Sequence, residues 1–151
     1  MTKTKVLFLC TGNSARSQIA EAYLRHYGGD SYEPHSAGLR PKGINPYAVR
    51  VMEEAGISLE GQASKSVDEY LGWVNFGWLI TVCNQADDDC PKTFLGVSNR
   101  LHWNDLEDPV AFTGTDEETL QKFRETRDKI DRHVQSWITE QESEAAVTTA
   151  S

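Results

Sequence analysis

The strongest constraint on the fold is a junction near the N-terminus. Lys5-Val6-Leu7-Phe8-Leu9 is a short, continuous apolar run, followed at once by the polar loop Cys10-Thr11-Gly12-Asn13-Ser14-Ala15-Arg16-Ser17. Beyond the loop, Ile19, Ala20, Tyr23, Leu24 and Tyr27 recur at helical spacing, with Gly28-Gly29 as the stop. An apolar run without alternation reads as a strand buried on both faces. Strand, tight loop and amphipathic helix in that order open a βαβ unit, so a parallel sheet is expected.

The remaining pattern continues the alternation. Tyr32–Ser36 reads as a second strand, Pro46–Ala55 as a helix stopped by Gly56, and Val67–Leu71 as a short helix. Trp78–Val82 is the second strong strand and Val97–Trp103 a weaker one. Leu120, Phe123, Arg124, Arg127, Ile130, Val134, Trp137 and Ile138 share one face of a long C-terminal helix. The expected architecture is therefore α/β: a doubly wound four-stranded parallel sheet of order 2-1-3-4 with helices on both faces. Ligands of such sheets bind beyond the C-terminal strand ends, where the first and third strands are neighbours. Cys10 ends the first strand and Cys83 follows the third, so two cysteines distant in sequence are expected at one place.

Length and charge narrow the function classes. At 151 residues the chain fits one domain, expected over 1–140, with 141–151 as a disordered tail because it has no periodic apolar face. Fifteen Lys and Arg stand against 23 Asp and Glu, a net charge of −8, which argues against a nucleic-acid or acidic-membrane partner. No apolar run approaches the roughly 18 residues of a membrane span, and Val6–Cys10 is shorter than the roughly 7–15-residue core of a signal peptide. A cytoplasmic monomer is expected. Three cysteines, an odd number, do not make a disulfide framework in a reducing compartment. They are core atoms, metal ligands or chemistry. His26, His35, His102 and His133 are scattered, and Cys83 with Cys90 lacks the spacing of a zinc site, so no metal is expected. Trp73, Trp78, Trp103 and Trp137 read as core and rim residues.

Chemistry points to the first loop. Backbone N–H groups of residues 11–17 and the positive end of the following helix make an anion cradle. Gly12 and Asn13 tolerate the positive φ that a tight cradle requires. The planar fork of Arg16 suits two oxyanion oxygens. The same field favours the thiolate form of Cys10, and Ser17 is placed to donate a hydrogen bond to it. The plain alternative is a βα turn with an incidental buried cysteine and a solvated arginine. Three carboxylates, Asp105, Glu107 and Asp108, follow the last strand and offer an acid, or simply a solvated turn.

Cys10–Ala22 resembles the phosphate loop and first helix of the low-molecular-weight protein tyrosine phosphatases, with Ser36-Ala37-Gly38 and Gly61-Gln62 at matching places. Cys83-Asn84-Gln85-Ala86-Asp87-Asp88-Asp89-Cys90-Pro91 is closer to one branch, the thioredoxin-coupled arsenate reductases. The resemblance runs from about Lys5 to Ile138. It implies that Cys10 attacks arsenate held by Thr11–Ser17 and Arg16, that Cys83 attacks Cys10 to release arsenite, and that Cys90 attacks Cys83. The Cys83–Cys90 disulfide is left for thioredoxin, an external reductant, with no bound cofactor. Asp108-Pro109 matches the place of the family's general acid, which favours Asp108 over Asp105. Asp87-Asp88-Asp89 reads as a solvated patch that would also keep Cys90 protonated until its turn, and a helix over Asn84–Asp89 would have to unwind before Cys83 and Cys90 could join.

Some members of the branch hold potassium through positions matching Asn13, Glu21, Ser36 and an acidic residue at 65. Lys65 stands there instead, either meeting Glu21 directly or solvated. Val110-Ala111-Phe112 replaces the tyrosines that line a phosphotyrosine pocket, with Phe112 still able to stack on a ring, and Ala15 excludes a second loop cysteine. The alternatives are a low-molecular-weight phosphatase and a non-catalytic oxyanion-binding protein. Mycothiol and glutaredoxin systems are the alternative reductants.

Overall fold

Unbroken burial marks the first strand as the centre of the sheet. In a computed structural model, which describes residues 3–70, 74–82 and 97–150 (backbone alone beyond 144), β1 spans Thr4–Cys10 and Val6–Cys10 are all buried. β2 (Tyr32–Gly38) and β3 (Phe76–Thr81) pair with it on either side, and β4 (Val97–His102) pairs with β3. All pairings are parallel and the order is β2-β1-β3-β4. The expected order 2-1-3-4 is thus observed. β4 read weakly in sequence because it is an edge: Ser98, Asn99 and Arg100 are exposed, so no apolar run is required.

Alternation along β1 divides the core in two. Val6, Phe8 and Cys10 pack with residues of α1 (Arg16–Gly28), α2 (Pro46–Glu54) and α3 (Asp116–Ala150). Leu7 and Leu9 pack with Ala37, Phe76, Leu79 and Val67. The expected cover of both faces therefore consists, among the described residues, of three α-helices on one face and the 3-10 turn Val67–Glu69 on the other.

The helix ends follow their sequence signals. Asn45 caps α2 by accepting from the Tyr47 N–H with Pro46 at the first helical position, and Gly56 closes it at φ +78°. On α3, Leu120, Phe123, Ile130, Val134 and Trp137 are buried, whereas Arg124 and Arg127 flank that stripe and pair with Glu54 of α2 at 2.9 and 3.2 Å. The tail expected over 141–151 is instead helical through Ala150. Glu, Gln and Ala are strong helix formers, and a helix already under way needs no new nucleus. No helix among the described residues is long and apolar enough to cross a membrane.

Candidate active site

β1 delivers Cys10 to the base of the loop, 3% exposed. Its Sγ lies 2.9 Å from Ser17 Oγ and accepts the Asn13 backbone N–H at 3.2 Å. Asn13 takes φ +47°, whereas Gly12 does not lie at positive φ, so the tight turn falls on one residue of the expected two. A left-handed conformation costs a residue with a Cβ about 1–2 kcal/mol, and hydrogen bonds fix Asn13 in it. Its Nδ2 donates to Ser17 Oγ at 2.8 Å, and its Oδ1 accepts from Gln18 Nε2 at 3.0 Å and from the Lys65 N–H at 2.8 Å. With Ser17 Oγ already accepting from Asn13, the Ser17 proton is free to point at sulfur. Two donors then converge on Cys10, an arrangement that suits a thiolate.

A second segment clamps this loop. Gln18 Nε2 also donates to the Ala63 carbonyl at 3.0 Å, and Gln62 Nε2 donates back to Gln18 Oε1 at 2.8 Å. The Gly61-Gln62 motif thereby acquires a physical reason. So does Ser36-Ala37-Gly38: a Cβ on Gly38 would stand 2.7 Å from the Thr11 carbonyl oxygen and 2.8 Å from the Asn13 nitrogen. β2 passes so close beneath the loop that only glycine fits.

Arg16 is buried, its Nη1 donating to the Leu106 carbonyl at 3.0 Å and its Nη2 3.7 Å from Asp108 Oδ2. Asp108 caps the 3-10 turn Pro109–Ala111, its Oδ1 accepting from the Val110 N–H at 3.1 Å, and is 42% exposed. Asp105 is committed elsewhere: His133, stacked on Trp103, bonds it at 2.8 and 3.0 Å. Of the two candidate acids, Asp108 alone lines the cleft of about 280 Å³ whose lining includes Cys10 and Arg16. Thr11, Gly12, Ser14 and Ala15 form its loop side, and Val110 and Ala111 continue the wall from Asp108. Phe112 is not among the lining residues. The Lys122 ammonium lies 5.5 Å from the centroid of its ring.

The residues matched to a potassium site do not fit a cation. Glu21 is buried, with Oε1 accepting from Ser36 Oγ at 2.6 Å and Oε2 paired with Arg25 at 2.6 Å. The Lys65 ammonium donates to the Ala63 carbonyl at 3.0 Å, so Lys65 does not meet Glu21. The carboxylate is already neutralised from within α1, at a spacing of four residues that is legible in any helix. Among the described residues no group of three His, Cys, Asp or Glu could hold a metal. Cys83, Cys90, the segment Asn84–Asp89 and Trp73 lie outside the described residues. Val82 is the last residue described on that side, its N–H bonded to the Leu9 carbonyl at 3.0 Å. Sequence reasoning also missed Lys42, which lines the cleft from a stretch without periodicity.

The low molecular weight phosphotyrosine protein phosphatase family matches residues 5–147. The chain belongs to that family. Within it, a Halalkalibacterium halodurans protein named arsenate reductase is 40% identical over 137 residues, covering 91% of this chain and 96% of its own. A solved arsenate reductase in the phosphate binding state superposes with TM-score 0.75 at 29% identity, covering 91% of this chain and 98% of its own. A thioredoxin-dependent arsenate reductase from Corynebacterium glutamicum superposes with TM-score 0.57 at 26% identity, covering 88% of this chain and 62% of its own.

Proposed function

We propose that the chain reduces arsenate to arsenite. The observation that carries this reading is the convergence of the Asn13 N–H and the Ser17 hydroxyl on Cys10 Sγ at the base of a cleft lined by Arg16 and Asp108. Relatives named arsenate reductase at about 40% identity support it.

In the proposed cycle, arsenate settles on the loop N–H groups of Thr11–Ser17 and the Arg16 fork. Cys10 Sγ attacks arsenic while Asp108 protonates the departing oxygen, which leaves as water. Cys83 thiolate then attacks Cys10 Sγ. The sulfur–sulfur bond forms, the pair of the sulfur–arsenic bond passes to arsenic, and arsenite departs as As(III). Cys90 displaces Cys10 from Cys83, and a dithiol such as thioredoxin reduces the resulting Cys83–Cys90 disulfide. The site of action fits a reducing, cytoplasmic compartment, and a monomer suffices, since every group named comes from one chain.

The family's phosphate-ester chemistry is the second reading, favoured by the same cradle and acid. Against aryl esters stands the cleft wall, where Val110 and Ala111 offer no ring to hold a phenyl group. Arsenate-dependent NADPH oxidation with thioredoxin and its reductase tests the proposal. Sustained oxidation is expected, lost without arsenate. Rapid aryl phosphate hydrolysis with no arsenate-dependent oxidation, under thioredoxin, mycothiol or glutaredoxin systems alike, would select the phosphatase.

A further inference from the structure

Three backbone hydrogen bonds fasten the segment after β2 alongside the first loop: Arg40 N–H to Thr11 O at 2.9 Å, Lys42 N–H to Gly12 O at 3.0 Å, and Asn45 N–H to Ser14 O at 2.9 Å. The middle bond fixes where the Lys42 side chain leaves the backbone. Its stem then lies over Gly12, with Cδ and Cγ 3.5 and 3.7 Å from the place a Cβ would occupy. Lys42 is exposed and lines the same cleft as Cys10, Arg16 and Asp108. Long cationic side chains lay their methylenes on apolar surface and keep the ammonium in water. Here the surface is the loop itself, so the charge is held at the mouth.

The charges of the cleft call for such a group. Arg16 and Lys42 are the cationic side chains lining it among the described residues. Arg16 is already committed to the Leu106 carbonyl and lies 3.7 Å from the Asp108 carboxylate. With Cys10 as thiolate and Asp108 carrying the proton it is to donate, Arg16 alone only balances the sulfur, in a chain of net charge −8. An incoming dianion would be repelled at long range and meet no net positive charge from that set at the mouth. Among the described residues no carboxylate lies within ion-pair distance of the Lys42 ammonium, so its charge is available to a ligand.

We infer that Lys42 is a substrate-binding residue that draws small inorganic dianions into the cleft and grips them there. The inference rests on the cleft being the oxyanion site of the proposed reaction. A freely hydrated ammonium near the mouth contributes through charge, so Arg serves in its place and the effect fades with salt.

The test reads anion binding without turnover. Reduced full-length protein is alkylated with iodoacetamide at increasing inorganic phosphate, and protection of Cys10 is followed residue by residue by mass spectrometry. Lys42→Gln should need roughly five- to thirtyfold more phosphate for half-protection at low salt, from the Coulomb energy of one charge near a dianion. Lys42→Arg should stay near wild type. Lys5→Gln, the same charge change at the far end of β1, should also stay near wild type. Equal phosphate affinity in Lys42→Gln and wild type would overturn the inference. So would an arginine variant as weak as the glutamine one, because charge would then not be the cause. Phosphate protection that depends on Lys42 in a protein unable to reduce arsenate would sustain this inference while removing the proposed function. The reverse result would leave the reductase without this residue.

Discussion

The Cys10 side and the Asp108 side of the cleft are built on different terms. Asn13, Ser17 and Gln18 are fully buried, both polar atoms of the Asn13 side chain are bonded, and residues 62–65 clamp the loop from outside. Asp108 is 42% exposed and rests on one backbone N–H and a 3.7 Å approach to Arg16. A buried, satisfied polar network holds one geometry, because breaking any member leaves an unpaired group in a low dielectric. A half-exposed carboxylate on a single 3-10 turn can shift as substrate enters and water leaves. Pre-setting the sulfur while leaving the acid adjustable suits a reaction that begins with nucleophilic attack and then needs a proton at a position fixed by the substrate.

The contrast breaks most sharply at the thiol. Cys10→Ser should reduce arsenate turnover and any phosphate-ester hydrolysis to background, since a serine hydroxyl is far too weakly acidic to replace the thiolate. Retention of either activity above a few per cent, measured on the folded variant, would assign the nucleophile elsewhere. Asp108→Asn should slow the first chemical step by about 10²–10⁴-fold, the range of a positioned acid, with phosphate affinity close to wild type. Asp105→Asn should leave that step near wild type, because Asp105 serves His133. A reversal of the two results, read by rapid-quench kinetics, would move the acid.

A smaller effect sharpens the rigid side. Gly38→Ala forces a methyl against Thr11 O and Asn13 N, and overpacking of this kind costs about 1–3 kcal/mol. Urea unfolding should show that loss together with weaker phosphate protection of Cys10. A stability loss with unchanged protection would mean that the loop does not depend on β2 beneath it. The smallest effect lies outside the cleft. Burial first, and then the carboxylates of Glu21, Glu69 and Glu33, push the Tyr70 phenol up to about 12. The unfolded chain releases that proton near pH 10, so the contribution is present below pH 10 and lost as pH rises through about 12. Tyr70→Phe should flatten the fall in stability above pH 10, followed by urea melts. An unchanged slope would show that Tyr70 does not titrate in this way.

The legible parts of the molecule were the local ones. β1, its loop and α1 are contiguous, so apolar run, glycine stop and helical spacing together located Cys10, Arg16 and Ser17. Helix α2 carried its own signals in Asn45, Pro46 and Gly56. Asp108 was favoured over Asp105 by the local Asp108-Pro109 pair, whereas the partner that occupies Asp105, His133, lies 28 residues further on and on another element. Lys42 was invisible for the same reason: its place in the cleft depends on a backbone bond to Gly12 that no periodicity announces. The contact of Phe112 with Lys122 of α3 was not legible either, since it joins two elements ten residues apart. The expected tail misled, since the lack of an apolar stripe says nothing against helix formers that continue an existing helix.

The proposed cycle, in which Cys10 bonds to arsenic, the sulfur–arsenic pair passes to arsenic when Cys83 attacks Cys10, and Cys90 then frees Cys10, is tested most directly in a single turnover. Fully reduced full-length protein is mixed with excess arsenate and no external reductant, arsenite is counted per chain, and each cysteine is identified by mass spectrometry as free or linked. One arsenite per chain, a Cys83–Cys90 disulfide and a free Cys10 thiol are expected. No arsenite, or arsenite with Cys10 left in the final disulfide, would contradict the cycle.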